Sequence, residues 1–207
     1  MKVLMINGSP HVKGTTSAAL AELAESLKQE GIETEIVQVG NKDIRGCIAC
    51  YSCLKNGKCV FDDLVNEVAS KFEACDGLVV ASPVYYASAN GTLISFLDRL
   101  FYSCRADKRM KVGAAVATAR RAGTTFTFDE MNKYFTISQM PVVSGRYWND
   151  IFGGSAQDAQ KDAEGMQNMR ILGRNMAFLM RAIAAEKEKN GLPEMEEITF
   201  TSFADGK

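Results

Sequence analysis

The chain has 207 residues, 46% of them apolar, with 24 lysines and arginines against 25 acidic residues and a formal charge of -1. That balance offers no general attraction to a nucleic-acid backbone, and the apolar content with only 4 prolines excludes a disordered or collagen-like chain. No apolar run reaches the length of a membrane span, and the opening MKVLMING turns polar too early for a secretory leader, which predicts a cytoplasmic protein.

Residues 2–7, KVLMIN, read as a short buried strand stopped by Gly8, Ser9 and Pro10. From Thr15 to Glu30 apolar residues recur at helical spacing (Ala19, Leu20, Leu23, Ala24, Leu27), and Gly31 closes that helix. Residues 33–39 predict a second strand, followed by a cysteine-rich insertion at 44–60. Leu64, Val65, Val68 and Phe72 mark a helix over 62–74. GLVVAS at 77–82 predicts a third strand, ended by Pro83. Leu93, Ile94, Leu97, Leu100 and Phe101 share one face of a helix over 92–103, which Asn90 can cap. KVGAAVAT at 111–118 predicts a fourth strand, 124–135 a helix, and MPVV at 140–143 a fifth strand. A helical pattern then runs over about 158–188, with Met166, Met169, Leu172, Met176, Leu179 and Ile183 on its apolar side.

Strand and helix alternate five times, and several strands are apolar on both faces, as in a parallel sheet covered by helices on both sides. The expectation is one α/β domain over 1–207, a three-layer sandwich on a five-stranded parallel sheet of order 2-1-3-4-5. Ligands of such sheets bind beyond the carboxyl ends of the strands where the order reverses, which directs attention to the loops 8–17, 82–90 and 118–124.

The first loop, GSPHVKGTTS, places Ser9, Thr15, Thr16 and Ser17 near a helix start, where free N–H groups and the helix dipole favour an anion; His11 and Lys13 can add charge. It is neither a P-loop nor a dinucleotide fingerprint, so it suits a mononucleotide phosphate, or else a polar loop whose threonine caps the helix. In SPVYYASANG, Pro83, Val84, Tyr85 and Tyr86 sit where a planar ring could pack. In TARRAGTTF, Arg120 and Arg121 precede Gly123, and an arginine there could stabilise negative charge on a reduced ring. The single histidine, His11, excludes a multi-histidine zinc hydrolase and a Ser-His-Asp set built elsewhere.

Three segments, GSPHVKGTTSAAL at 8–20, GCIACYSCLKNGKCVFDD at 46–63 and SPVYYASANGTLISFLDRL at 82–100, resemble the flavodoxin-like family of NAD(P)H-dependent FMN reductases, and most its branch of iron–sulfur flavoproteins and multimeric flavodoxins. The resemblance implies FMN, with Ser9, His11, Thr16 and Ser17 holding the phosphate. It implies that Pro83, Val84, Tyr85 and Tyr86 line the isoalloxazine, and that Ala119, Arg120 and Gly123 approach the ring's pyrimidine side or face. ATARRAGT departs from the glycine-rich version of relatives.

The activity so implied takes hydride from NADH or NADPH and passes electrons to a flavin, quinone, aromatic or protein acceptor. Flavin N5 carries the hydride, and no side chain is assigned a catalytic role. The alternative is a flavodoxin-like electron carrier without efficient NAD(P)H turnover. The helices at 92–103 and 158–188 are available to form a homodimer or homotetramer.

Cys47, Cys50, Cys53 and Cys59 form C-x2-C-x2-C-x5-C. Thiolates so spaced can ligate zinc or iron–sulfur, and free thiols in a loop are the third reading. The resemblance points to a [4Fe-4S] cluster, although similar segments occur in relatives that carry flavin alone. Cys75 and Cys104 lie in apolar helical contexts and read as core.

Overall fold

The computed structural model describes residues 1–201; residues 202–207 of the expected domain span lie outside the described residues. The first strand, β1 (Lys2–Asn7), is buried from its second residue on. Its alternating side chains serve two cores, Val3 and Met5 on one face and Leu4 and Ile6 on the other. The chain continues through α1 (Thr15–Gln29), β2 (Glu33–Gln38), α2 (Ser52–Asn56), α3 (Leu64–Ala74), β3 (Gly77–Tyr85), β4 (Ser88–Ala89), α4 (Gly91–Ser103) and β5 (Val112–Ala119). It ends with α5 (Thr124–Ile137), β6 (Asp150–Phe152), α6 (Ala156–Lys161) and α7 (Ala163–Asn190).

The sheet order is β2-β1-β3-β5-β6, parallel throughout, with β4 folded back antiparallel on the end of β3. Leaving that ribbon aside, this is the expected 2-1-3-4-5. Leu20, Leu23 and Leu27 of α1 and Met169, Leu172 and Met176 of α7 fill one face of the sheet. Val68 and Phe72 of α3, Phe96 and Leu97 of α4, and Met131 and Phe135 of α5 fill the other. The expected cap is present: the Asn90 side chain accepts from Thr92 N and Leu93 N, at 2.9 and 3.2 Å. After β2, Gly40 comes so close to the first loop that a Cβ there would overlap the Gly8 carbonyl oxygen. Asn7 O accepts from Val39 N and Gly40 N, which binds the end of β2 to that loop.

Three expectations are corrected. Pro83 does not end β3, which pairs with β5 through Pro83 and reaches Tyr85. β1 has by then ended opposite Ala81, so β3 is an edge on that side, where a proline is tolerated. MPVV is not the fifth strand. Only Val142 bridges Gly113, and the position is completed by β6 beside Ala117–Ala119. The intervening chain is held away by Asn168, whose Oδ1 accepts from Arg146 N and Tyr147 N at 2.7 and 3.1 Å. The helical pattern over 158–188 is two helices. Asp162 divides them, its carboxylate accepting from Gly165 N at 2.9 Å as the cap of α7 and from Phe152 N at 2.8 Å.

Candidate functional site

At the carboxyl ends of the strands an open cleft of 540 Å³ is lined from the loops after β1, β3, β5 and β6. That volume lies within the range of small-molecule sites. Another cavity, of 170 Å³, lies at the opposite end of the sheet beside Met1, Asp76 and Lys111, away from the point where the strand order reverses.

The first loop is built by Asn7, which is nearly fully buried. Its Oδ1 accepts from Ser9 N at 3.0 Å and its Nδ2 donates to Ser17 Oγ at 3.0 Å. Ser17 Oγ in turn donates to Val12 O at 2.6 Å, so this hydroxyl closes the loop, and Ser17 is not among the residues lining the cleft. Gln38 of β2 donates to Ser9 O. Ser9 Oγ accepts from His11 N at 3.1 Å and keeps its own proton to donate. Thr16 Oγ1 and Thr118 Oγ1 are 2.8 Å apart, so one hydroxyl donates to the other and the second proton of the pair stays available. The start of α1 has Gly14 at its N-cap and no side-chain cap, which leaves the first-turn N–H groups for a ligand. His11, Lys13 and Arg120 line the cleft, and among the described residues no carboxylate does.

Pro83, Val84 and Ala119 supply an apolar wall to the same cleft. Tyr85 and Tyr86 are not part of it. They lie at a two-residue hairpin turn in which Tyr86 and Ala87 both take left-handed φ, 51° and 60°, and Tyr86 is fully exposed. Glu130 Oε2 steadies this hairpin by accepting from Ser88 Oγ and Ala89 N, each at 2.8 Å. Gly123, with φ 91°, does not line the cleft but packs on the hairpin; a Cβ there would meet Val84 Cγ1 at 2.9 Å. Thr124 Oγ1 donates to Asp150 Oδ2 at 3.0 Å, which ties the third loop to β6, and burial pushes the Asp150 carboxyl up from its ordinary value.

Gly153, Gly154 and Ser155 form a fourth wall that sequence reasoning missed. Thr15 Oγ1 brings it in, donating to Gly153 O and Ser155 O at 3.1 and 3.2 Å. No local pattern marks this segment, because its place depends on β6 lying beside β5.

The four clustered cysteines stand apart from the cleft. Cys47 and Cys50 are exposed, Cys59 is half-buried and Cys53 is buried, all as free thiols, and all line one hollow of 20 Å³. Left-handed turns at Ala49 and Tyr51 bend the chain between them. Asn66 of α3 anchors the last by accepting from Cys59 N at 2.9 Å and donating to Cys59 O at 3.1 Å. Arg99 of α4 donates from Nε to Cys59 Sγ at 3.3 Å. Among the described residues no three His, Cys, Asp or Glu side chains are gathered so as to hold a metal ion, whether zinc or the irons of a cluster. Cys75 and Cys104 are buried in the core, as expected.

The profile described as NADPH-dependent FMN reductase matches residues 1–153. The chain belongs to this family. It is 32% identical over 191 residues to an iron–sulfur flavoprotein of Methanocaldococcus jannaschii, covering 88% of this chain and 99% of the relative. It is 30% identical over 194 residues to an iron–sulfur flavoprotein of Methanosarcina thermophila, covering 91% and 100%. Among solved structures, RosB superposes with a TM-score of 0.70 over 97% of this chain and 91% of that one, at 16% identity, a likeness of fold. This family membership makes the chain a flavodoxin-like FMN-binding oxidoreductase. No helix among the described residues is long and apolar enough to cross a membrane.

Proposed function

We propose that this FMN reductase family member oxidises NADH or NADPH with FMN held in the 540 Å³ cleft, and passes the electrons to a flavin, quinone, aromatic or protein acceptor. The observation that carries this reading is the lining of the cleft. An uncapped helix start, two groups of hydroxyls and three basic side chains meet there next to an apolar wall, without a carboxylate among the described residues. A phosphate monoester attached to a flat ring fits that set.

Ser9, Thr16 and the first-turn N–H groups of α1 would hold the phosphate, with His11 and Lys13 offsetting its charge. Ser17 acts through the loop that it closes. Pro83, Val84 and Ala119 would exclude water from one side of the ring, and Arg120 would set positive charge at the rim. Bound FMN supplies the two-electron chemistry with nicotinamide, so the chain needs no nucleophile or general base. Tyr85 and Tyr86, exposed on the hairpin, would meet an incoming substrate.

The cysteine hollow is assigned a [4Fe-4S] cluster on Cys47, Cys50, Cys53 and Cys59, as an electron outlet. Two observations support it. Four free thiols share one hollow, and the hydroxyl of Ser103, buried at its wall, has no hydrogen-bond partner. The names of the iron–sulfur flavoprotein relatives point the same way. All six cysteines are free, which suits a reducing cytoplasm. A homodimer or homotetramer is the assembly proposed, with Tyr102 of α4 and Phe178 of α7 as exposed apolar anchors.

Anaerobic stopped-flow mixing of the FMN-loaded protein with NADH or NADPH tests the main reading. Rapid bleaching of the flavin absorbance is expected with at least one of them. Bleaching by neither, in a protein that is reduced readily by dithionite, overturns the reductase and leaves the electron carrier.

A further inference from the structure

Two polar side chains of α4 line the cysteine hollow, Arg99 held by Asp63 and by the carbonyls of Arg45 and Phe61, and Ser103 without a partner. Ser103 is 3% exposed and lines the hollow, yet its hydroxyl has no partner among the described residues. A buried donor without an acceptor costs stability and is rare, so its retention calls for an acceptor that the polypeptide does not supply. One helical turn earlier Arg99 is 1% exposed and also lines the hollow. Asp63 takes its two terminal nitrogens at 2.7 and 2.8 Å, an arrangement that fixes the plane of the guanidinium. The remaining Nε donates to Cys59 Sγ at 3.3 Å. Residues at i and i+4 lie on one helix face, so both donors address the same space.

We propose that Arg99 and Ser103 are hydrogen-bond donors that set the reduction potential of the cluster, Arg99 through Cys59 and Ser103 by donating its unpartnered hydroxyl to cluster sulfur. This rests on the cluster reading above. Reduction adds one electron and makes the sulfurs better acceptors. Donors and a fixed positive charge at the sulfurs therefore favour the reduced form and raise the potential. They are positioning residues and do not ligate iron.

The test uses anaerobically prepared holoprotein. Iron and acid-labile sulfide are counted first in the unsubstituted protein. Their absence overturns the cluster reading itself, and this proposal with it. Where the cluster is present, dithionite titrations followed by electron paramagnetic resonance give its potential in Ser103→Ala and Arg99→Lys. The lysine keeps a charge beside Asp63 but has no planar fork to fix a donor on Cys59 at the same time. Each variant is expected to shift the reduction equilibrium about tenfold toward the oxidised form, which is about 59 mV lower for one electron. FMN content stays the same, because the cleft is built from other residues. Removing an unpartnered hydroxyl breaks no bond, so metal-free Ser103→Ala is expected to melt no lower than its parent. Wild-type potentials in Ser103→Ala and in Arg99→Lys overturn the proposal while leaving the cluster standing. A markedly lower melting point of metal-free Ser103→Ala also overturns it, by giving the hydroxyl a structural role. If Arg99→Lys fails to fold, Ser103→Ala alone decides.

Discussion

Ser9→Ala tests the phosphate cradle most directly. The hydroxyl of Ser9 accepts from His11 N at 3.1 Å and has one proton left to offer the cleft. A hydrogen bond from such a hydroxyl to a phosphate dianion is worth about 1.5–3 kcal/mol. The substitution should therefore weaken FMN by about 10- to 150-fold. Riboflavin lacks the phosphate and loses only through loosening of the loop, where water can replace the acceptor for His11 N. Ser17→Ala provides the contrast. It removes the 2.6 Å bond to Val12 O and the 3.0 Å bond from Asn7, both inside the loop. A net hydrogen bond of about 1 kcal/mol predicts a loss of about fivefold, shared by both flavins. Quenching of flavin fluorescence on titration into apoprotein measures both affinities in the parent and in each variant. Equal losses of FMN and riboflavin in Ser9→Ala would refute the assignment, as would a loss confined to FMN in Ser17→Ala.

Glu130→Gln should release the β3–β4 hairpin by about 1–2 kcal/mol, since Glu130 Oε2 accepts from both Ser88 Oγ and Ala89 N; exchange of the Ala89 amide should rise by about 5- to 30-fold, and unchanged protection contradicts the strut. Gly40→Ala should cost more than about 4 kcal/mol, because its Cβ would overlap backbone of the first loop; a wild-type melting temperature rules out the close approach. Hydrogen bonds from Lys2 and then Lys71, each at 2.5 Å, hold the Glu35 carboxyl below the usual range. Its folded pKa is depressed, so its stabilisation is present above the unfolded value of about 4.3 and is lost as pH falls through the folded one. Glu35→Gln should thus lower the urea midpoint at neutral pH and converge with the parent in acid; a difference that persists in acid contradicts this.

Much of this was legible in the sequence because the signals were local. β1 announces itself by an apolar run and α4 by its periodicity and the Asn90 cap, and the three loops that follow β1, β3 and β5 all contribute to one cleft. Signals failed where tertiary bonds decide. MPVV is more strand-like than the segment at 150–152, but the Asn168 side chain diverts the chain between them and leaves the ladder to Asp150, Ile151 and Phe152. The 153–155 wall follows from that displacement and from Thr15. Ser17 reads like its neighbours Thr15 and Thr16, yet Asn7 and Val12 engage its hydroxyl. No periodicity shows that Arg99 of α4 is buried and paired with Asp63.

The divided outer strand also bears on what the sheet can be joined to. Between the Val142 bridge and β6, backbone pairing along the outer side of β5 is interrupted. Asn149 fills the interval, its side chain donating to Ala115 O at 3.1 Å and its own carbonyl accepting from Ala117 N at 2.9 Å. A long, flat row of free amides and carbonyls would invite a strand from another molecule. Here the row is broken into two short stretches, and one side chain, itself held by Asn168, occupies the gap. This border of the sheet is therefore interrupted, and the long continuous edge of the sheet is the other one, β2, which pairs only with β1 and carries Glu33 and Glu35.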